Sequence, residues 1–245
     1  MSSKGIAIIG ATGGIGTVLT QKLHNEGVSL FLGSRNEEAL SNLANKTEAP
    51  YQRVDATNWD EVDHFIKTAQ DKLENFYGLV LCVGSIILKP AHLTTQQEFE
   101  QTINLNLSSA FATIKFGAKA MMQNGGSIVL LSSAAARKGL VNHEAIAAAK
   151  AGVIGLTQSS AATYSSYGVR INCVAPGLVD TPMASRITSN EASLKASEKM
   201  HPLGRIGKPE DVASAIAWFL NSTNSWVTGQ VLGIDGGLAD IQGRR

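Results

Sequence analysis

Four glycines within seven residues, Gly10, Gly13, Gly14 and Gly16, follow the apolar run Ile6-Ala7-Ile8-Ile9 and precede Val18, Leu19 and Leu23 at helical spacing. An apolar run this short suits a central parallel strand. A strand that feeds a glycine-rich turn and then a helix offers backbone N–H groups and a helix N-terminus to an anion, the chemistry of pyrophosphate binding. Gly10 is expected to permit the turn, Gly14 to let backbone and phosphate approach, and Gly16 to let helix pack close to strand. Thr12, Gly13 and Ile15 belong to the same cradle. A second chemical position is Ser34-Arg35, at the end of the next apolar run. In a dinucleotide-binding fold this strand end meets the adenosine ribose, where an acid favours a free 2′-hydroxyl and an arginine accommodates a 2′-phosphate. No acid stands there; serine can hydrogen-bond a phosphate and a guanidinium pairs with it strongly. NADP(H) is therefore expected in preference to NAD(H), the plain alternative being that Arg35 is a solvated residue near a helix start.

The elements that must position these residues alternate along the whole chain. Residues 28–32 form a second strand, and Val54-Asp55-Ala56-Thr57-Asn58 ends a third. Asp55 and Ala56 are candidate cofactor contacts, although Asp55 could serve the turn alone. Asn58 or Thr57 can cap the next helix, which carries Val62, Phe65, Ile66, Ala69 and Leu73. A fourth strand over 78–84 contains Cys82 and ends on Gly84, as expected where a cofactor crosses strand ends. A long helical region carries Phe99, Ile103, Leu107, Phe111, Ile114 and Met121, with Asn104 and Asn106 among apolar neighbours. Residues 127–131 make a fifth strand ending in Ser132-Ser133, and an alanine-rich helix from Ala145 to Ala162 contains Lys150. A sixth strand, 169–174, closes on Ala175-Pro176-Gly177. Residues 183–205 are either a mobile helical lid or a solvated excursion. Pro209-Glu210-Asp211 opens a last helix, and residues 230–234 form a seventh strand. This alternation predicts a single-domain α/β, Rossmann-like doubly wound fold with a seven-stranded parallel sheet and helices on both faces.

Composition narrows the function. The chain has 245 residues, with 21 basic and 20 acidic side chains. So even a balance gives no electrostatic basis for binding nucleic acid or a membrane surface. The five histidines show no metal-ligand spacing, and Cys82 and Cys173, in strand-like apolar runs, suit buried free thiols of a reducing compartment. No apolar run reaches membrane-spanning length, and the first strand starts too early for a signal peptide. A cytoplasmic protein acting on a small molecule, with no metal, is expected.

Over essentially its whole length the chain resembles the short-chain dehydrogenase/reductase family. The resemblance rests on residues 10–16, Asp55, Asn106-Leu107, Ser132-Ser133, Lys150-Ala151-Gly152, Arg170-Ile171-Asn172, Pro176-Gly177 and Asp235-Gly236-Gly237, in this order. It implies NAD(P)(H) binding, carbonyl/alcohol redox chemistry, and a homotetramer or dimer built partly on the long helices. The exposed small side chains of the alanine-rich helix would suit close helix packing. The resemblance also implies that Asn106 supports a water relay, that Ser133 polarises the carbonyl, and that Lys150 holds the nicotinamide ribose. Pro176, Gly177, Val179 and Thr181 would lie near the nicotinamide end. In such enzymes a tyrosine exchanges the proton, four residues before the lysine. Ile146 stands at that position, thirteen residues after Ser133. Ile9 replaces the usual leading threonine of the glycine turn, and Cys82-Val83-Gly84 replaces the family's Asn-Ala-Gly.

An isoleucine cannot give or take a proton. His143, three residues before Ile146, is the candidate substitute, since an imidazole exchanges protons near neutrality; Glu144 points elsewhere around the helix. The plain alternative for His143 is a polar residue at a helix start. Three functions follow: an NADP(H)-dependent oxidoreductase with an atypical proton donor, a non-catalytic nucleotide-binding member, or an isomerase or lyase on the same scaffold.

Overall fold

In the computed structural model, which describes residues 4–242, seven strands form one parallel sheet in the order β3-β2-β1-β4-β5-β6-β7. The strands are β1 (Gly5–Ile9), β2 (Ser29–Ser34), β3 (Tyr51–Arg53), β4 (Phe76–Leu81), β5 (Gly126–Leu131), β6 (Val169–Pro176) and β7 (Val231–Ile234). The central strand β1 is buried at every residue and alternates its side chains between two layers. Ala7 and Ile9 pack with Phe65 of α3 (Trp59–Lys72), Ile114 of α5 (Ser109–Met121) and Val153 of α6 (Glu144–Tyr164). Ile6 and Ile8 pack on the other side with Leu19 of α1 (Gly14–Asn25), Leu40 of α2 (Glu37–Thr47) and Phe219 of α9 (Pro209–Leu220). Burial on both faces explains why the strands are continuously apolar rather than alternating.

Strand order reverses beside β1, whose neighbours are β2 and β4. A crevice therefore opens beyond the carboxyl ends at this switch point. Register aligns it: Ile9 lies opposite both Gly33 and Leu81, so Gly10, Ser34 and Cys82 come next along three adjacent strands. The expected elements are all present, with shifted ends. β4 stops at Leu81, which leaves Cys82 beyond the strand and partly exposed rather than buried within it; Cys173 is buried in β6. β6 runs on to Pro176.

The long helical region is two helices, α4 (Gln96–Ile103) and α5, joined by a π-helical turn over Asn104–Ser108. Asn106 accounts for the widening. Its Nδ2 donates to the Thr102 carbonyl at 2.9 Å, taking the acceptor that a regular α-turn would give to its backbone N–H. The segment over 183–205 is mostly helical: a single turn at Pro182–Ala184, α7 (Ser185–Thr188) and α8 (Glu191–Met200). No helix among the described residues is long and apolar enough to cross a membrane.

Candidate active site

The glycine turn is shaped by contacts that exclude side chains. Gly10 has φ +87°, and a Cβ there would meet the Cys82 carbonyl at 2.8 Å. A Cβ on Gly16 would overlap the Gly10 carbonyl oxygen, so only glycine lets α1 start this close to β1. At Gly14 a Cβ would lie 2.7 Å from Thr181, so the segment after β6 presses against the turn. Side chains of Asn36, Asn58, Thr95 and Asn190 cap α2, α3, α4 and α8. By contrast α1 starts at Gly13 with no side-chain cap and no acid in its first turn. Its leading N–H groups and dipole end remain available to an anion.

Beside the turn, the hydroxyls of Thr12 and Ser34 share a hydrogen bond of 2.5 Å, tying the loop to the end of β2. Arg35 is exposed and makes no salt bridge among the described residues. Asp55 accepts from the Thr57 N–H at 2.9 Å and hydroxyl at 2.8 Å through one oxygen. Burial raises its pKa, but the Thr57 hydrogen bonds and the charges of Arg35 and Arg53 outweigh that and hold it below the usual carboxylate range.

A cavity of about 490 Å³ lies on the other side of the turn, over the carboxyl ends of β4, β5 and β6. Thr12, Gly13, Gly14 and Ile15 edge it; Ser133, His143, Ile146 and Lys150 face it from β5 and α6. Cys82, Gly84, Pro176, Gly177, Val179 and Thr181 also line it. Gly10, Gly16, Ser34, Arg35, Asp55 and Ala56 do not; they lie around the turn and beyond it towards β2 and β3.

The Ser133 oxygen accepts from the Ala135 N–H at 3.1 Å, which leaves its O–H to donate. Lys150 is buried, and its Nζ donates to the Leu131 carbonyl at 2.9 Å. Burial pulls the Lys150 pKa down to about 8, against the opposing influence of the Cys173 and Cys82 thiols. Ser132 donates to the Lys150 carbonyl at 2.8 Å and so pins α6 to β5. Asn106 stands outside the cavity wall: its Nδ2 donates to Ser85 Oγ at 2.9 Å and its Oδ1 accepts from the Ser85 N–H at 3.2 Å.

His143 precedes α6, with Nδ1 2.7 Å from the Val141 carbonyl. A carbonyl only accepts, so Nδ1 carries the hydrogen and Nε2 is the nitrogen left for exchange. Ile146 is 5 % exposed, one turn before Lys150. His201 was not singled out by its sequence context. It is buried at the end of α8, with Nδ1 2.6 Å from the Ser197 carbonyl and Nε2 accepting from the Leu178 N–H at 3.2 Å. No spacing signals this latch, because its partners come from α8 and the loop after β6.

Residues 10–239 match the family model described as enoyl-(acyl carrier protein) reductase. The 3-oxoacyl-[acyl-carrier-protein] reductase FabG of Thermotoga maritima is 35% identical over 97% of this chain and 98% of its own. A short-chain type dehydrogenase/reductase from Mycobacterium ulcerans superposes with a TM-score of 0.92, at 28% identity, over 99% of this chain and 93% of that one. The chain belongs to the short-chain dehydrogenase/reductase family. A second structural neighbour, an actinorhodin polyketide ketoreductase variant with NADPH, has a TM-score of 0.92 at 26% identity, covering 98% of this chain and 100% of its own.

Proposed function

We propose that this chain is a cytoplasmic NADP(H)-dependent oxidoreductase interconverting a carbonyl and an alcohol, with a proton donor other than the family's tyrosine. The observation that carries the reading is the convergence of Lys150 Nζ, the Ser133 hydroxyl and the uncapped start of α1 on one cavity. The residues fit the cofactor. The start of α1 has donors to spare for a pyrophosphate, and Lys150 has one carbonyl partner and further N–H groups for the nicotinamide ribose. When bound, the nicotinamide supplies or accepts the hydride. Ser133 then donates to the substrate oxygen, and His143 Nε2 exchanges its proton. Asn106 holds Ser85 at the cavity wall. The change in nicotinamide absorbance with a panel of ketones and alcohols tests the reading; no change with any of them refutes it. Ile146 in the wall favours a second reading, a non-catalytic member or an isomerase or lyase that needs no tyrosine.

Cofactor preference follows from Ser34 and Arg35, which offer a hydroxyl and an unpaired guanidinium to a 2′-phosphate. Arg35→Asp is expected to weaken NADPH binding by about tenfold or more, the worth of a hydrogen bond to a charged group plus repulsion. NADH affinity should hold or improve. Fluorescence titration of both nucleotides checks this, and equal losses for the two would refute the assignment.

For assembly we infer a homotetramer, or a dimer using the same surface. The outer face of α6 presents Ala148, Ala151, Gly155 and Ala162, and nothing lies within 4 Å of the Cβ position of Gly155. Phe111 on neighbouring α5 is 50% exposed. Small side chains beside an exposed ring suit close helix packing. Sedimentation at micromolar concentration should give an oligomer; a monomer refutes it.

A further inference from the structure

The cavity lining contains no aspartate, glutamate or arginine. Its titratable groups are Lys150, His143, His201 and the Cys82 thiol. Both His201 nitrogens are committed to backbone groups, and Lys150 lies on the floor against Leu131. The side chains that could exchange a proton with a substrate oxygen, Ser133, His143 and Lys150, all come from the end of β5 and from α6.

The mouth of the cavity is apolar and open. Ile86 and Leu88 come from the loop after β4, and Met183 and Met200 from the two ends of the lid. They are 43, 43, 51 and 47% exposed, although each lines the cavity. Large apolar side chains left exposed around one mouth, on two segments distant in sequence, mark a surface that is covered when a ligand arrives.

We propose that the substrate is a neutral molecule with a single carbonyl or hydroxyl group at one end and a hydrocarbon body that reaches the mouth between Ile86, Leu88, Met183 and Met200. This names the substrate class of the oxidoreductase site and rests on that reading for its turnover arm alone. A carboxylate or phosphate on the body would be buried among these side chains with no arginine to pair it, a cost that several methylenes do not recover. Methionines on the lid side give a wall that adapts to shape. Selection acts on polarity and length: straight-chain and alicyclic bodies are accepted, and acids are rejected.

The test compares 2-butanone, 2-hexanone, 2-octanone and 7-oxooctanoate with NADPH. Full burial of each methylene is worth about fourfold, so kcat/KM should rise at least about tenfold from 2-butanone to 2-octanone. 7-Oxooctanoate, whose carboxylate lies at the far end of the body, should fall at least about tenfold below 2-octanone, because that charge lacks a partner. Calorimetry of 2-butanol, 2-octanol and 7-hydroxyoctanoate with the protein and NADP⁺ gives a second readout that needs no turnover: 2-octanol should bind tightest and 7-hydroxyoctanoate weakest. Met183→Glu, at an exposed position that tolerates charge, should compress the 2-octanone to 2-butanone ratio by about tenfold. Ketone turnover with no length dependence, or preference for the acids in either readout, overturns the proposal. Length-dependent alcohol binding with no turnover of any ketone supports it and refutes the oxidoreductase reading instead.

Discussion

Ile146→Tyr is expected to raise the rate of simple ketone reduction by about 10²-fold or more, the usual worth of a positioned general acid. Ile146 faces the cavity one helical turn before Lys150, so the new phenol would stand beside the Nζ ammonium and across from Ser133. A neighbouring cation lowers a phenol's pKa, which favours proton exchange near neutrality. The cavity of about 490 Å³ opens directly on this wall and gives the larger ring space. The hydroxyl needs partners, and the Ser133 hydroxyl and Lys150 supply them. Ile146→Phe is the control: it adds the ring without the proton and should give no gain. His143→Ala tells who carries the proton in the native protein. It should nearly abolish native turnover, yet cost little once tyrosine is present, a non-additivity that marks two groups sharing one role. Initial rates of NADPH oxidation for the native protein, the three single variants and the His143→Ala/Ile146→Tyr double variant decide it. If Ile146→Tyr and Ile146→Phe slow the native reaction equally, Ile146 is shaping the pocket for its own substrate and a missing acid is not what limits the rate.

What the sequence made legible was local or periodic. The glycine turn could be located because Gly16 packs on the Gly10 carbonyl within the first strand-turn-helix unit, which their spacing encodes, whereas the contact of Gly10 with Cys82 lies outside that unit. The parallel sheet could be expected because strands buried on both faces are continuous apolar runs between helical repeats. Strand ends were less legible: Cys82-Val83-Gly84 continues the apolar run of β4, and no residue in it marks where pairing stops at Leu81. The cavity mouth escaped for a different reason. Ile86 and Leu88 meet Met183 and Met200 only through tertiary folding, and exposed apolar side chains carry no pattern in one dimension. The His201 latch and the Asn106 bond to Ser85 likewise join segments that sequence spacing cannot relate. Ile146 could be related to Lys150 and Ser133 by spacing alone, but the apolar character of the whole cavity became visible only once the loop after β4 and the segment over 183–205 were assembled.

Lys150→Met is expected to make the protein more stable and nearly inactive. Burial holds the folded-state pKa of Lys150 at about 8, against an ordinary 10.5. At about 1.4 kcal/mol per unit, carrying that charge costs the folded chain ~3 kcal/mol. Below pH 8 both folded and unfolded chains hold the proton, so the full cost is present at pH 7. Between pH 8 and 10.5 the unfolded chain holds more protons than the folded one, and stability rises with pH as the cost is relieved. The thiols of Cys82 and Cys173, pushed up to about 12 by burial, act the other way. Above about pH 9 the unfolded chain loses thiol protons that the folded chain keeps, which lowers stability. This thiol contribution is common to both proteins and largely cancels in their difference. Methionine also deprives the Leu131 carbonyl of its donor, at about 1 kcal/mol, so the net gain at pH 7 is about 2 kcal/mol. For a chain of this size that is a rise in Tm of about 4–8 °C. Melts of both proteins without nucleotide, from pH 7 to 9.5, should show the advantage of the variant shrinking as pH rises. Turnover should fall by about 10²-fold or more, because the cation proposed to position the nicotinamide ribose is lost. A variant less stable at pH 7, or an advantage independent of pH, would mean that Lys150 bears no burial cost. Stability gained where activity is lost is the signature of a charge kept for chemistry against the preference of the fold.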